Sequence, residues 1–325
     1  MNYLEKILTP FQKTASSDEK IRQWFPHPPA KRDRIPTTYL ACCAIVRNEA
    51  RYIREWIEFH RLVGVEKFLI YDNCSTDATR EILRPYEQDG LVEVVPWPHF
   101  VHGFGTQALA YAHAVAYLGP NARWMAFIDI DEYLFSPSGR PISEILKSYE
   151  DLPALVVYWL MYGTSGRSEP GEGLMIEDYT MRAHPPEQAS RDKILANYKS
   201  IVDPGKVIAN SGAHHFFVDG NAQTGFDEKR RPVFFKKERR VTVDEIRINH
   251  YFTKSLSEWR TRYGRQTGNS TVLRDEFLDD AFAKVECEPI EDTAIWRYLP
   301  ALQAAMDDTA PDETLPKVRT RHVAR

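Results

Sequence analysis

Two carboxylates two residues apart, Asp129 and Asp131, end an apolar run from Trp124 to Ile128, and Glu132 follows them. Strand side chains alternate faces with period two, which predicts Asp129 and Asp131 on one side and Glu132 facing away as support. Like charges side by side repel, so the pair calls for a cation between them. A hard divalent ion that also meets phosphate oxygens is the chemistry such oxygen ligands serve. The alternative is a surface turn, where Asp is common for its local hydrogen bonding. Asp72 ends a second apolar run, Lys67 to Tyr71, and there a carboxylate either accepts from a base or ribose or closes an Asx turn. Arg47 and Glu49 follow a third run, Tyr39 to Val46, at the mouth of a helix.

The elements that must position these groups alternate strand and helix. Tyr39 to Val46 is nearly continuously apolar, as in a strand covered on both faces. Ile53, Trp56, Ile57 and His60 repeat at helical spacing. Strands are expected at 67–71, 91–95 and 124–128, with helices at 77–88 and 106–118 between them. A short helix at 142–149 and a fifth strand at 154–160 follow. This predicts an α/β fold with a mostly parallel central sheet and helices on both faces, and ligands in such sheets bind at the C-terminal edge of the strands. From Glu169 to Gly225 the pattern is irregular and reads as an acceptor-side lobe of loops and short strands. Val241 to Tyr251 alternates like a strand, and Leu256 to Tyr263 reads as a helix. A short helix is expected at Tyr3 to Leu8, and a mobile tail from Asp307. The domains expected are an arm at 1–38, a catalytic domain at 39–265 and a C-terminal helical extension with the tail at 266–325.

Composition narrows the function. Of 325 residues 43% are hydrophobic and 27% charged, ordinary values for a globular chain, and the net charge of -4 gives no nucleic-acid footprint. Basic bias is confined to Lys229–Arg240 and Lys317–Arg325. Cys42 and Cys43 are adjacent in a strand and face opposite ways; with Cys74 and Cys287 they read as reduced thiols of a cytoplasmic protein. No 18-residue apolar span occurs, so no transmembrane segment is expected. No G-x-G-x-x-G follows the first strand and no glycine-rich loop ends in Lys-Ser/Thr. Phosphate charge would then be met by a metal on Asp129 and Asp131.

Val46-Arg47-Asn48-Glu49, Tyr71-Asp72-Asn73-x-Ser75-x-Asp77, Gln107 and Phe127-Ile128-Asp129-Ile130-Asp131-Glu132-Tyr133 occur in that order. They continue through Gly163-Thr164-Ser165-Gly166, Lys199-Ser200-Ile201-Val202, His214-His215 and Asn249 to Ser255. The ordered set resembles glycosyltransferase family 92, a branch of the GT-A-type nucleotide-sugar transferases related to family 2. The resemblance implies a Rossmann-like GT-A fold and transfer of a hexose, galactose among the options, from a UDP-sugar with inversion. The acceptor implied is a glycan, polysaccharide or lipid-linked sugar. Arg47, Glu49, Asp72, Asp129 and Lys199 are the implied donor contacts. Asp129, Asp131 and His250 are the implied ligands of Mn²⁺ or Mg²⁺, with Asp131 the more direct, and an imidazole favours Mn²⁺. Glu177 and then Asp178 resemble the family's base, with Glu169 and Glu172 as further acids. Trp159, Tyr162, Gly163, Ser165 and His215 are the implied acceptor or sugar contacts. Much of the family is membrane-anchored; the expectation for this chain is a cytoplasmic enzyme able to dock at the inner membrane surface.

Other readings stay open. A sugar-nucleotide pyrophosphorylase would carry a basic glycine-rich loop where Val46 to Ala50 stands. A haloacid-dehalogenase-type phosphatase would carry its Asp pair after the first strand. A carbohydrate-binding or inactive relative would have no use for Asp129, Asp131 and His250 together.

Overall fold

The computed structural model describes residues 25–98, 105–219, 222–262 and 275–307. The helix expected at Tyr3 to Leu8, the Lys317–Arg325 run and nearly all of the tail lie outside them. Strands β1 (Thr38–Val46), β2 (Lys67–Asp72), β3 (Val92–Pro96) and β4 (Ala122–Phe127) alternate with helices α1 (Ile53–Leu62), α2 (Thr79–Gln88) and α3 (Thr106–Tyr117). They pair in parallel in the order β3-β2-β1-β4. Period-two alternation along β1 splits its side chains between two cores. Leu40, Cys42 and Ala44 pack with Ile53, Trp56 and Phe59 of α1, whereas Ala41 and Cys43 pack with Ala110, Tyr111 and Ala114 of α3. The adjacent cysteines are both buried and unbonded, on opposite faces as their spacing requires. Gly64 (φ +101°) and Gly90 (φ +73°) turn the chain after α1 and α2 in the left-handed region that favours glycine.

Beyond β4 the chain departs from the expected order. It reverses through β5 (Glu132–Phe135), passes α4 (Ile142–Leu146) and runs back as β6 (Ala154–Met161). The strand beside β4 is not β6 but β7 (Tyr198–Val202), antiparallel to both. It comes from the stretch expected to be an irregular lobe. Its polar Lys199 and Ser200 interrupt the apolar run that would have marked a buried strand. On the sheet path β8 (Gln223–Phe226) and β9 (Pro232–Phe234) lie outside β6. Strand β10 (Arg247–His250) pairs parallel with β6 and antiparallel with β5.

The strand expected over 241–251 is shorter than its alternation suggested. The Glu228 carboxylate accepts from Thr242 Oγ1 and from the backbone N–H groups of Asp244, Glu245 and Ile246. Those donors are therefore spent before β10 begins.

The described C-terminal residues are mostly helical. Helix α6 (Leu256–Arg262) follows β10, after the short helix α5 (Met175–Asp178) earlier in the chain. Then come α7 (Asp275–Glu286) and α8 (Leu299–Asp307), which packs back on α1. The upstream arm is also tied down within its described part: Phe25–Pro26 pairs with Ala209–Asn210, and Arg32 reaches Asp203 and the Ala122 carbonyl. No helix of the described residues is long and apolar enough to cross a membrane.

Candidate active site

The site is built where β4 stops. The strand ends at Phe127, and residues 128–131 form a turn leading into β5. Period-two alternation therefore no longer governs Asp129, Asp131 and Glu132, and the expectation that Glu132 faces away is corrected. Its Oε2 accepts the Asp129 N–H at 3.0 Å, while the Glu132 N–H donates back to the Asp129 carbonyl at 3.1 Å. From α1 the buried Trp56 indole N–H donates to both the Asp129 and Glu132 carbonyls, at 3.0 and 2.9 Å. His60, one helical turn on, accepts the Leu134 N–H through Nε2 at 3.1 Å and donates from Nδ1 to the Trp56 carbonyl. Burial lowers its pKa to about 3, which leaves the ring neutral and able to accept. Trp56 and His60 read as apolar stripe residues in the sequence, and their polar atoms hold the turn.

Long-range pairing brings in the other groups. In register, His250 of β10 stands opposite Glu132 of β5, and the Tyr251 N–H donates to the Asp131 carbonyl at 2.8 Å. His250 Nε2 lies 3.5 Å from Asp131 Oδ1, and its Nδ1 lies 3.7 Å from Glu132 Oε1. Trp159 of β6 is almost wholly buried, its ring edge-on to His250 at 4.5 Å and to His214 at 5.1 Å. It forms the wall of the histidine site. Lys199 of β7 stands beside Val157 of β6 and one residue beyond the last β4 pair. Its ammonium donates to Asp129 Oδ2 at 2.7 Å and lies 3.6 Å from Glu132 Oε2, with the side chain only 1% exposed. Gln107 of α3 donates from Nε2 to Asp129 Oδ1 at 2.9 Å.

The electrostatics follow from this packing. Burial drives Glu132 well above the usual carboxylate range, Lys199 opposes it, and Asp129 and Asp131 add to it. For Lys199 burial would lower the pKa, but Asp129 and Glu132 outweigh it and keep the ammonium above its ordinary value. Burial and the Lys199 charge push His214 well below its ordinary value.

Among the described residues no group of three or more His, Cys, Asp or Glu side chains is gathered as a metal cage. Asp131 and His250 are nevertheless a carboxylate oxygen and an imidazole nitrogen at the separation of neighbouring ligands. Glu132 Oε1 lies 3.7 Å from the far ring nitrogen, beyond hydrogen-bond distance but on the side from which a carboxylate can orient a ligating His. The donor set fits a divalent ion that takes its remaining ligands from a bound phosphate or from water.

The loops after β1 and β2 meet at the same sheet edge. Asp72 accepts the Ser75 N–H, three residues on, at 3.0 Å on Oδ1, so one of its oxygens is spent on its own loop in a cap-like bond. Asn48, at φ +59°, accepts the Thr76 N–H, and its own N–H donates to Ser75 Oγ. Asp77 accepts the Ala50 N–H, so the loops carrying Arg47 and Asp72 are laced together. Arg47 is exposed and Glu49 half-buried, with Lys254 Nζ 3.9 Å from Glu49 Oε2 and 4.5 Å over the Tyr52 ring. Lys254 lies within the matched motif and carried no expected role.

Other expected residues are engaged in building loops. Ser165 Oγ accepts from the Thr180 and Met181 N–H groups at 2.9 and 3.0 Å. Gly163 leaves room for the Glu286 carboxylate, which accepts the Thr164 N–H. Tyr162 is buried, its hydroxyl donating to the Asp292 carbonyl at 3.3 Å. His215 packs against Tyr198 and Phe235, and burial with the Arg239 charge lowers its pKa to about 3.

On α5, Glu177 accepts the Leu174 N–H on Oε2 and the Gln303 amide of α8 on Oε1. Asp178, its side chain 9% exposed, pairs with Arg167 at 2.8 Å, and burial raises its pKa. Glu55 of α1 accepts the Met175 and Ile176 N–H groups, which ties α5 to the helix that holds the turn. Glu169 and Glu172 are exposed.

Similarity to known proteins identifies the family. The family model described as "Glycosyltransferase family 92" matches residues 37–285. A glycosyltransferase family 92 protein of Oryza sativa subsp. japonica is 31% identical over 185 residues, covering 55% of this chain and 30% of that protein. One from Ricinus communis is 26% identical over 250 residues, covering 72% and 39%. The chain thus spans about a third of the length of the curated relatives it matches. Among solved structures, S. aureus TarS 1-349 overlaps 51% of this chain and 47% of that one at 17% identity and TM-score 0.33, too slight a likeness to carry weight.

Proposed function

The chain belongs to glycosyltransferase family 92, and from that premise we propose that it moves a hexose from a UDP-sugar to a carbohydrate or glycolipid acceptor, with inversion. The observation that carries the reading is the Asp131–His250 pair, 3.5 Å apart at the C-terminal edge of a parallel sheet, with Glu132 behind the imidazole. That edge is where ligands of such sheets bind. Asp131 and His250 would hold Mn²⁺ or Mg²⁺, which when bound supplies Lewis-acid stabilisation of the leaving diphosphate.

In the reaction an acceptor hydroxyl attacks the anomeric carbon from the face opposite the diphosphate. The new C–O bond forms as the bond to the diphosphate breaks, and the hydroxyl proton passes to a carboxylate. Asp178 is the better candidate for that base, because both Glu177 oxygens already accept hydrogen bonds from Leu174 and Gln303. The loops bearing Arg47 and Asp72 would take the nucleotide. The catalytic domain of 39–265 and a cytoplasmic location at a membrane surface belong to the same proposal.

Calorimetric titration of UDP, GDP and a UDP-sugar panel that includes UDP-galactose, with and without Mn²⁺, tests it. Metal-dependent UDP binding is expected. No UDP binding with any metal would sink the donor assignment.

A further inference from the structure

The two aspartates of the strand-end pair do not stand in the same surroundings. Asp131 faces His250, whereas both oxygens of Asp129 already meet donors: Gln107 Nε2 at 2.9 Å on Oδ1 and Lys199 Nζ at 2.7 Å on Oδ2. Lys199 reaches them from inside the sheet, on the antiparallel strand between β4 and β6, and is closed off from solvent. A lysine this buried, its head between Asp129 and Glu132, is poorly placed to meet a diphosphate, the role its family position implied. It does what a metal shared by Asp129 and Asp131 would otherwise do for Asp129.

We propose that Lys199 is a positioning residue, a built-in counter-ion that locks Asp129 out of the metal's coordination sphere and leaves Asp131 and His250 as the protein's ligands. This rests on the metal-dependent reading above and divides the pair's roles within it. Three features converge on it. Lys199 neutralises the carboxylate nearest to it, so Asp129 gains little by binding a divalent ion. The same ammonium lies 3.6 Å from Glu132 Oε2 and so helps hold the carboxylate whose Oε1 faces His250 Nδ1. Gln107, donating to both Asp129 and the Tyr111 hydroxyl, fixes the Asp129 plane from the other core.

The test is Mn²⁺ binding, followed by electron paramagnetic resonance of the free ion, in the 325-residue chain with and without UDP. Asp131→Asn and His250→Ala should each weaken Mn²⁺ about 30-fold or more, whereas Asp129→Asn, which only strands the Lys199 charge near the ion, should weaken it no more than about tenfold. Lys199→Met exposes the Asp129 charge to the ion. It should tighten nucleotide-free Mn²⁺ binding by up to about tenfold, and Asp129→Asn/Lys199→Met should return it to the wild-type value. Loss of Mn²⁺ in Asp129→Asn equal to that in Asp131→Asn would overturn the proposal. So would Mn²⁺ affinity that Lys199→Met lowers or leaves unchanged.

If the wild-type chain binds no Mn²⁺ even with UDP, the metal-dependent reading has failed, and thermal stability across the same cycle judges the counter-ion alone. There the double variant should melt above Lys199→Met; strictly additive melting shifts reject the pairing. Should Lys199→Met not fold, recovery of folded protein in the double variant supports the pairing, and failure to recover rejects it.

Discussion

Strand β7 carries one charged cluster at each end, and the two are balanced oppositely. At the C-terminal edge of the parallel strands, Lys199 meets Asp129 and Glu132, with Asp131 beside them; carboxylates are in excess. At the other edge Asp203, just past the end of β7, is met by Arg32 and Arg123 at 2.7 Å each and by Lys206 at 3.7 Å; cations are in excess. Asp203 also accepts the Gly205 N–H, and Arg32 and Arg123 go on to donate to the Ala122 and Glu150 carbonyls. That cluster is complete, and it fastens the upstream segment to the start of β4. The opposite cluster keeps a surplus of negative charge. A buried ion-pair network can be structural or functional; the sign of the surplus, and the edge on which it lies, separate a clamp from a site.

The largest effect should come from the deficient edge. Asp131→Asn is expected to lower kcat/KM about 10²- to 10³-fold, the size of losing one preorganised electrostatic contact, with the melting temperature nearly unchanged. Steady-state transfer assays beside calorimetric melting would show it, and a variant as active as wild type would erase the contrast between the edges. Asp203→Ala should do the reverse, costing about 2–3 kcal/mol of stability by stranding two half-buried guanidinium groups while folded protein keeps its UDP affinity. Denaturant titration measures the first and calorimetry the second.

Glu55 shows what a buried carboxylate does without a counter-cation. Burial pushes its pKa up to about 7, against the hydrogen bonds from Met175, Tyr133 and Ile176. The folded chain therefore holds a proton that the unfolded chain has released. The associated stability is fully present below about pH 4.5 and is lost as pH rises through about 7. Relative to Glu55→Gln, the wild type should lose about 3 kcal/mol between pH 4.5 and 8, read from urea midpoints at several pH values. Parallel curves would mean that Glu55 is not buried as an acid. The smallest effect is expected at Ser165→Ala, about 1 kcal/mol for the backbone donors left at Thr180 and Met181, with donor affinity unchanged. A large loss of donor affinity would move Ser165 from the loop's framework into the site.

The sequence by itself determined the local elements and the family. Apolar runs and helical spacing placed β1 through β4 and α1 through α3 within a few residues, because each such element is specified by its own side-chain periodicity. The Asp129–Asp131 pair at a strand end, and the ordered motifs around it, identified the family without any contact being known. What the sequence left undecided was whatever depends on pairing across long separations or on the chain after a strand has ended. The register of β10 on β5 set His250 opposite Glu132, and the insertion of β7 beside β4 brought Lys199 to Asp129. The turn at 128–131 cancelled the alternation that had pointed Glu132 away. The resemblance ranked Asp131 ahead of Asp129 as a ligand, but only the folded sheet supplies a physical difference between them, because the charge beside each comes from a different distant strand.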